Sequence, residues 1–264
     1  MANRNSRSKL KISLTSGQSL IANRNLANKT LLLYIGPKKK CVLVHKCILD
    51  KSPFFASLFL HNPVYEELSQ AYHFPAFDTY AFATIVHWLH FGKIKLIAED
   101  YKENDVFDTT HMVKVYCLCY KLELRSLMNL ALELLGYGYL KNNSAPTIED
   151  MDIAYSQTGR WSGLRIYMAT WARCRQQAPP EMYLMATQWD PRRFSALTTK
   201  HPDLLKDLQT LCESTNAAYL KNLDPRHHDI CWYHNHPNGE WCGISRQTFK
   251  TVCNEISSRL DKPI

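Results

Sequence analysis

Two short apolar runs on either side of residue 38 predict a β-hairpin. The runs at residues 31–35 and 42–44 are separated by a Gly-Pro break at residues 36–37 and by consecutive lysines. Apolar runs of this length, joined by turn residues and exposed charge, are typical of two paired strands. Directly afterwards, a Ser-Pro pair at residues 52–53 opens a segment whose apolar residues recur at helical spacing. The pattern therefore predicts that strands give way to helices at this point of the chain.

A third strand and a longer helix are predicted next. The strand corresponds to a brief apolar stretch at residues 72–74. Asp78 is suited to cap a helix that ends at Gly92, because Asp accepts hydrogen bonds at helix N-termini and glycine favours helix ends. The apolar face of this helix comprises Tyr80, Phe82, Ile85, Val86, Trp88 and Leu89. Two more helices are expected, one capped by Thr110 and one carrying apolar residues over 124–135. This order of elements predicts an α+β fold, a small sheet flanked by helices.

The second half of the chain has a purely helical pattern. After a break at residues 141–146, Thr147 begins a capping box for a helix that ends near Gln157. The next helix is expected to bury Leu164, Tyr167, Met168 and Trp171. Further helical pieces are predicted at residues 182–188 and 204–212.

These patterns divide the chain into four parts. They are an N-terminal arm at residues 1–23, an α+β domain at 24–140, a helical extension at 141–226 and a Cys/His-rich tail at 227–264. The arm is expected to be mobile, and an edge strand formed against a partner is the alternative.

The composition is that of a folded intracellular protein. A chain of 264 residues with 45% hydrophobic residues is long enough to bury one sizeable core or two modest ones. It contains no run of about 18 apolar residues that would span a membrane, and its start lacks the apolar region and cleavage site of a secretory signal. We therefore expect a soluble protein of the cytoplasm or nucleus, without membrane contact.

The net charge of +8 raises the question of nucleic-acid binding. Lys and Arg are scattered along the whole chain, and this distribution favours an ordinary solvated basic surface over a nucleic-acid site. The chain has nine cysteines and no secretory signal, so a disulfide framework is not expected and most of the cysteines should be reduced core thiols. Cys117 and Cys119 are expected to be core thiols and not a redox or metal pair, because their spacing puts them on different helix faces.

Four phrases of the sequence together resemble the BTB/POZ family. They are VHKCILDKSPFFASLF at residues 44–59, DTYAFATIVHWLHFGKI at 78–94, KVYCLCYKLELRSLMNLAL at 114–132 and AYSQTGRWSGLR at 154–165. His90 stands where the family usually has Tyr. The last phrase is similar to one in the helical extension of many fungal BTB proteins, through Tyr155, Thr158, Ser162, Leu164 and Arg165.

The resemblance implies a BTB/POZ fold and a non-enzymatic role in binding other proteins. Family members usually self-associate, and many recruit a cullin scaffold as substrate adaptors of a ubiquitin ligase. Val64, Tyr65 and Glu66 fit the hydrophobic-x-E phrase that contacts the cullin. Members that form a swapped dimer commonly carry an acidic residue ahead of the first core strand, whereas this chain has Asn-Lys-Thr at residues 28–30. The resemblance implies binding to other proteins, and a homodimer is one form that this binding would take.

A cluster of cysteine and histidine near the end of the chain predicts a zinc site. Cys231, His234, His236 and Cys242 are spaced C-x2-H-x-H-x5-C, and two reserve histidines lie at residues 227–228. Thiolate and imidazole are ligands that zinc prefers, and the short spacing lets one loop surround a tetrahedral ion. The phrase CWYHNH also resembles one near the C-terminus of fungal BTB proteins. The alternative is a tail packed by its aromatic residues, in which the histidines only form hydrogen bonds.

The same histidines resemble the H-x-H-P core of zinc-dependent deubiquitinating metalloproteases. The Asp that supplies the third ligand of that site would lie near Gln247 and is missing, and the nearby Ser245 lacks its partner. A site closed by two cysteines would also leave no position for a water nucleophile. We therefore expect a protein that is not an enzyme, and a zinc-containing DNA-binding or transcription-linked protein is the alternative function.

Overall fold

The computed structural model describes residues 15–16, 30–61, 70–94, 101–102, 106–177, 189–213 and 224–236. The Cα positions fall into two compact units, residues 1–93 and residues 94–264. A small sheet is combined with many helices, so the architecture is α+β, as predicted. The domain boundaries expected from the sequence stay predictions.

The first unit contains a four-stranded sheet with the order β1-β4-β2-β3. Its strands are β1 (Thr15–Ser16), β2 (Thr30–Ile35), β3 (Lys40–His45) and β4 (Gln70–Phe74). Strands β2 and β3 form the predicted antiparallel hairpin, in which Leu31 lies opposite Val44. Gly36 follows β2 with a φ of 76°, a left-handed conformation that glycine adopts at low cost. Strand β4 runs parallel to β2, so the chain must cross over between them through helical residues.

Helices and a cluster of phenylalanines complete the described part of the first unit. The helices are α1 (Lys46–Leu49), α2 (Pro53–His61) and α3 (Thr79–Phe91). Phe55 of α2 meets Phe74 of β4 edge to face, with ring centroids 5.6 Å apart, and Phe74 stacks on Phe77 at 4.8 Å. Aromatic pairs of this kind add about 0.5–1.5 kcal/mol each to the burial of apolar surface. Ring contacts therefore hold α2 against the sheet.

Helix α3 begins and ends as predicted. The carboxylate of Asp78 accepts a hydrogen bond from the backbone N–H of Tyr80 at 3.1 Å, and Gly92 follows the helix with a left-handed φ of 66°. The predicted apolar face needs one correction, because Tyr80 is exposed, whereas Trp88 is half-buried. Nζ of Lys40 lies 5.1 Å from the centroid of the Tyr80 ring, so this ring is covered by a cation at the surface and not by the core.

The second unit is mainly helical. Its described elements are β5 (Tyr101–Lys102), β6 (Val106–Phe107), α4 (Thr109–Lys121), α5 (Arg125–Lys141), α6 (Ile148–Gln157), α7 (Gly163–Gln177), α8 (Pro191–Lys200) and α9 (Pro202–Glu213). Helix α4 packs against α5 and α6, and α7 packs against α6 and α9. No helix in the described part of the chain combines the length and the apolar character needed to cross a lipid bilayer.

The cap of α4 is Asp108 and not Thr110. The carboxylate of Asp108 accepts the backbone N–H of His111 at 2.9 Å. The hydroxyl of Thr110 instead donates to Oδ1 of Asp150 on α6 at 2.7 Å. The prediction that Thr110 caps this helix is wrong because an aspartate, a strong capping residue, already stands two positions earlier.

Cys117 and Cys119 are both buried in α4, as expected. Desolvation by burial raises the pKa of the Cys117 thiol to about 12 and that of Cys119 well above its usual value. Both thiols stay protonated at neutral pH, so they behave as small apolar side chains of the core.

The predicted helices α6, α7 and α9 are confirmed, whereas α8 is missing from the sequence prediction. Thr147 and Asp150 form the expected capping box, with two hydrogen bonds of 3.0 Å. The cap of α8 is Asp190, which accepts the N–H of Arg192 at 2.8 Å, and a proline follows at the first helical position. The sequence pattern that would predict α8 is weak, because the helix is largely polar and Leu197 is its buried apolar residue. The piece predicted at residues 182–188 lies outside the described residues.

Candidate metal site

Residues 224–236, here termed the docked segment, pack against helices α5 and α7. The segment contains two 3₁₀ turns, Pro225–His227 and Ile230–Tyr233. Its approach to α7 is so close that a Cβ atom on Gly163 would overlap the carbonyl oxygen of Tyr233. On α5, a Cβ atom on Gly136 would lie 3.2 Å from Cδ1 of Ile230. The missing side chain at residue 163 therefore allows the segment to reach α7.

Tyr233 is the apolar anchor of the docked segment. Its side chain is buried, and its ring meets that of Tyr167 on α7 edge to face, with centroids 4.9 Å apart. The Tyr233 hydroxyl lies 2.6 Å from Nδ1 of His228, so the polar end of the ring has a partner within the segment. Burial of a large apolar side chain stabilises by roughly 1.5–3 kcal/mol. This ring alone is thus a substantial part of the attachment.

Polar contacts fix the two ends of the docked segment. At its start, Nε of Arg226 donates to Oδ1 of the buried Asp224 at 2.9 Å, and Nη1 donates to Oδ1 of Asn143 at 2.7 Å. At its end, the backbone N–H of Asn235 donates to Oδ1 of Asn129 on α5 at 3.2 Å. The segment is therefore held in one position along the helices.

Three of the predicted zinc ligands meet on the docked segment. One ligand atom from each of Cys231, His234 and His236 lies within 4.8 Å of the other two. Sγ of Cys231 is 3.2 Å from Nε2 of His236. With metal–ligand bonds of about 2.0–2.3 Å, two ligand atoms of a tetrahedral zinc ion are roughly 3.5 Å apart. The three side chains are therefore close enough to one another to hold a metal ion.

Burial controls the charge of the groups around this cluster. Desolvation, together with the charge of His236, lowers the pKa of His234 to about 4. Its imidazole is therefore neutral at pH 7, which is the form that binds a metal. Oε1 of Glu133 on α5 lies 3.6 Å from Nε2 of His234. Desolvation and the negative charge of Asp229 raise the pKa of Glu133 to about 7. A buried carboxyl group, costly to ionise, thus stands beside the ligands.

Comparison of the sequence with known proteins leaves the family of the chain open. No family model matches the chain, and no curated protein matches it. The resemblance to the BTB/POZ family therefore stays a prediction.

The other predicted site residues do not join the ligand cluster in the described part of the chain. Cys242 lies outside the described residues, as do the predicted cullin-contact residues Val64, Tyr65 and Glu66. The reserve ligand His228 lies on the docked segment, where its Nδ1 is paired with Tyr233, and the side chain of His227 is outside the described residues.

Helix α5 contributes the residues that the sequence analysis missed. Asn129, Glu133 and Gly136 are separated by four and three positions, so they share one face of the helix. Each of them faces a residue of the docked segment. The signal in the sequence is a pair of polar residues and a glycine at helical spacing within the mostly apolar middle of the helix.

A second cluster joins the end of α6 to the start of α7. Nη2 of Arg165 donates to the carbonyl oxygen of Tyr155 at 2.6 Å and to that of Thr158. The Arg165 guanidinium lies 4.8 Å from the centroid of the Tyr155 ring. Ser162 donates to Oγ1 of Thr158 at 2.9 Å and accepts the backbone N–H of Arg165 at 3.3 Å. Four residues of the fourth resembling phrase therefore form one hydrogen-bonded corner, which caps both helices.

Proposed function

We propose that this chain is a non-enzymatic protein-interaction module of the BTB/POZ type. As a more specific form of this role, we propose that it is a substrate adaptor for a cullin-based ubiquitin ligase. The arrangement of the residues that resemble the family supports this proposal. The first two phrases, at residues 44–59 and 78–94, provide helices beside a small sheet. The fourth, at residues 154–165, provides the hydrogen-bonded corner.

The observation that carries the proposal is a set of large apolar side chains at the surface of the first unit. Leu43, Leu60 and Phe91 expose 68%, 76% and 67% of their surface. Leu43 lies on β3, which is the outer strand of the described sheet. Apolar side chains and an outer strand are both features that other proteins bind. They favour contact with a second protein chain at this unit.

We expect Leu43→Asp to weaken association of the chain, with itself or with a partner, by about tenfold or more. A buried leucine contributes roughly 1.5 kcal/mol or more at an interface, and an aspartate adds a charge there. Size-exclusion chromatography with light scattering measures self-association. The matched control is Leu205→Asp on α9, which changes another exposed leucine.

A second experiment, capture of a cullin scaffold by the purified protein, tests the adaptor role. Glu66→Ala is expected to reduce capture, whereas the neighbouring Glu67→Ala is not. A monomer that captures no cullin, with the Leu43 variant indistinguishable from wild type, contradicts the proposed interaction role.

The proposal includes a structural zinc ion on the docked segment. Cys231, His234 and His236 supply three ligands of the kind that zinc prefers, and Cys242 is the predicted fourth. A fully ligated zinc ion contributes to folding and leaves no open position for a reacting water. Its role would be to hold the docked segment in shape against α5 and α7.

Metal analysis of the purified, reduced protein is expected to find one zinc ion per chain. Loss of a residue that contacts a metal ligand typically weakens metal binding 10–100-fold. Cys231→Ser removes a ligand itself, so we expect it to weaken zinc binding by more than this. Cys47→Ser is the control, since Cys47 is an exposed thiol outside the cluster. A zinc content well below one per chain, equal in both variants, would mean that packing alone holds the docked segment.

A salt series separates this proposal from the alternative of DNA binding. Specific DNA binding through several phosphate contacts weakens steeply as salt rises. Tight DNA binding that weakens steeply with salt would favour the alternative. Weak DNA binding that does not change with salt would exclude it.

A further inference from the structure

Glu133 is a buried acidic residue in the middle of α5. Its side chain exposes 6% of its surface, and its Oε1 lies 3.6 Å from Nε2 of His234. The other oxygen, Oε2, has no hydrogen-bond partner among the described residues, and no lysine or arginine among them forms an ion pair with this carboxylate. Buried carboxylates in proteins are paired with a cation or bind a metal ion. The burial of Glu133 therefore calls for a positive charge beside it.

The separation of Glu133 and His234 is that of two ligands of one metal ion. At 3.6 Å, Oε1 and Nε2 are too far apart for a hydrogen bond, in which N and O are about 2.7–3.2 Å apart. Zinc binds carboxylate oxygen and imidazole nitrogen at about 2.0–2.2 Å, so two such atoms in a tetrahedral site are roughly 3.3–3.6 Å apart. Nε2 makes no hydrogen bond within the described residues, so a metal ion there displaces no bonded partner.

We propose that Glu133 is the fourth ligand of the zinc site, in the place that the sequence analysis gives to Cys242. The inference rests on the zinc site of the proposed function and changes its ligand set to one thiolate, two imidazoles and one carboxylate, all of which zinc binds. His234 binds through Nε2, the nitrogen that faces the carboxylate. Three ligands come from the docked segment and the fourth from α5, so the ion joins the segment to the helix.

The charge balance favours Glu133 over Cys242 as the fourth ligand. A zinc ion with the Cys231 thiolate and two neutral imidazoles has a net charge of about +1, because the thiolate cancels one of the two positive charges. The carboxylate of Glu133 brings this charge to zero, which a buried site favours. With a second thiolate from Cys242, the site would be neutral by itself, and Glu133 would remain a buried charge without a cation.

The chain on both sides of the three segment ligands is held on the same face of α5 as Glu133. Asn129, about one turn before Glu133, accepts the backbone N–H of Asn235 at 3.2 Å. Gly136, about one turn after it, leaves room for Ile230 of the segment. Glu133 lies between these two contacts, and its rotatable side chain lets the carboxylate turn towards an ion on the docked segment. The packing that brings the ligands to α5 therefore exists without the metal.

Glu133→Gln and Cys242→Ser distinguish the two candidates for the fourth ligand. We expect Glu133→Gln to lower the affinity for Co²⁺, a spectroscopic probe of zinc sites, by more than about 100-fold, since loss of a residue that only contacts a ligand costs 10–100-fold. Cys242→Ser is expected to bind Co²⁺ as wild type does. So is the control Glu149→Gln, which changes an exposed carboxylate on α6. The glutamine amide keeps the shape of the carboxylate without its charge, and circular dichroism of the metal-free variants checks that the fold is retained.

X-ray absorption of the zinc-loaded wild-type protein counts the ligands without any substitution. The proposal requires one sulfur and three nitrogen or oxygen atoms around the zinc ion. Two sulfur atoms overturn it, as does a Cys242→Ser variant with weakened Co²⁺ binding. A Glu133→Gln variant that binds Co²⁺ within 100-fold of wild type also overturns it, because Glu133 would then at most contact a ligand.

The failure of this inference differs from the failure of the zinc site itself. If the wild-type chain binds neither Co²⁺ nor zinc, the zinc site of the proposed function fails and the inference fails with it. A bound zinc ion with two sulfur ligands refutes the inference alone.

Discussion

Gly163→Ala is expected to detach the docked segment from α7 and to lower the free energy of unfolding by about 2 kcal/mol or more. The new Cβ atom would overlap the carbonyl oxygen of Tyr233 and would lie 2.8 Å from its carbonyl carbon. Both atoms belong to the backbone, so no rotation of a side chain relieves the overlap. If the segment moves away instead, the burial of the Tyr233 ring is lost, at a cost of roughly 1.5–3 kcal/mol.

The sign of this effect is what makes the experiment informative. A glycine replaced by alanine at an unhindered helical position usually stabilises a protein by about 0.4–1 kcal/mol. Gly136→Ala on α5 is the matched control, because its nearest contact is the flexible end of the Ile230 side chain. We expect this control to be neutral or slightly stabilising.

Urea denaturation measures both stabilities, and hydrogen exchange of residues 224–236 reports whether the docked segment is attached. Rapid exchange of the segment is expected in the Gly163 variant alone. Wild-type stability and wild-type protection in that variant would show that the segment does not approach α7 as described.

Arg165→Met is expected to lower the free energy of unfolding by about 3 kcal/mol. The guanidinium donates to the carbonyl oxygens of Tyr155 and Thr158, which lie at the C-terminal end of α6. Carbonyl groups there have no partner within their own helix, and a positive charge is favourable beside them. Methionine fills a similar volume but leaves both buried acceptors without donors, and each costs about 1–3 kcal/mol.

Arg125→Met is the matched control for this second variant. Arg125 is exposed at the first position of α5, where its loss should change stability by less than about 0.5 kcal/mol. Thermal and urea unfolding of the two variants supply the comparison. Equal stabilities would mean that the corner between α6 and α7 does not depend on the arginine.

The sequence predicts the elements of this fold where their signals are local. Turn residues at 36–37 and the caps Asp78 and Gly92 lie within a few positions of the backbone groups that they affect. Thr110 is assigned wrongly because two capping residues stand almost side by side, and the choice depends on its contact with Asp150 of α6. That contact is tertiary, so local spacing does not reveal it.

The metal site follows the same division between local and distant signals. Cys231, His234 and His236 lie within one short stretch, so their proximity in space follows from their proximity in sequence. Glu133 is far from them along the chain, and only the packing of the docked segment on α5 brings it to His234. A buried glutamate within a leucine-rich helix indicates a partner, but the identity of that partner depends on tertiary structure.

More than forty residues separate the end of α7 from the docked segment, and this order affects how the chain folds during its synthesis on the ribosome. Translation proceeds at about 5–20 residues per second, so residues 224–236 are synthesised roughly 2–12 seconds after α7 is complete. During that interval the face of α5 that the segment will cover is in contact with water. This face carries Asn129, Glu133 and Gly136 in place of leucines. The nascent chain therefore exposes a less apolar surface, which is less prone to aggregation, until the docked segment has been synthesised.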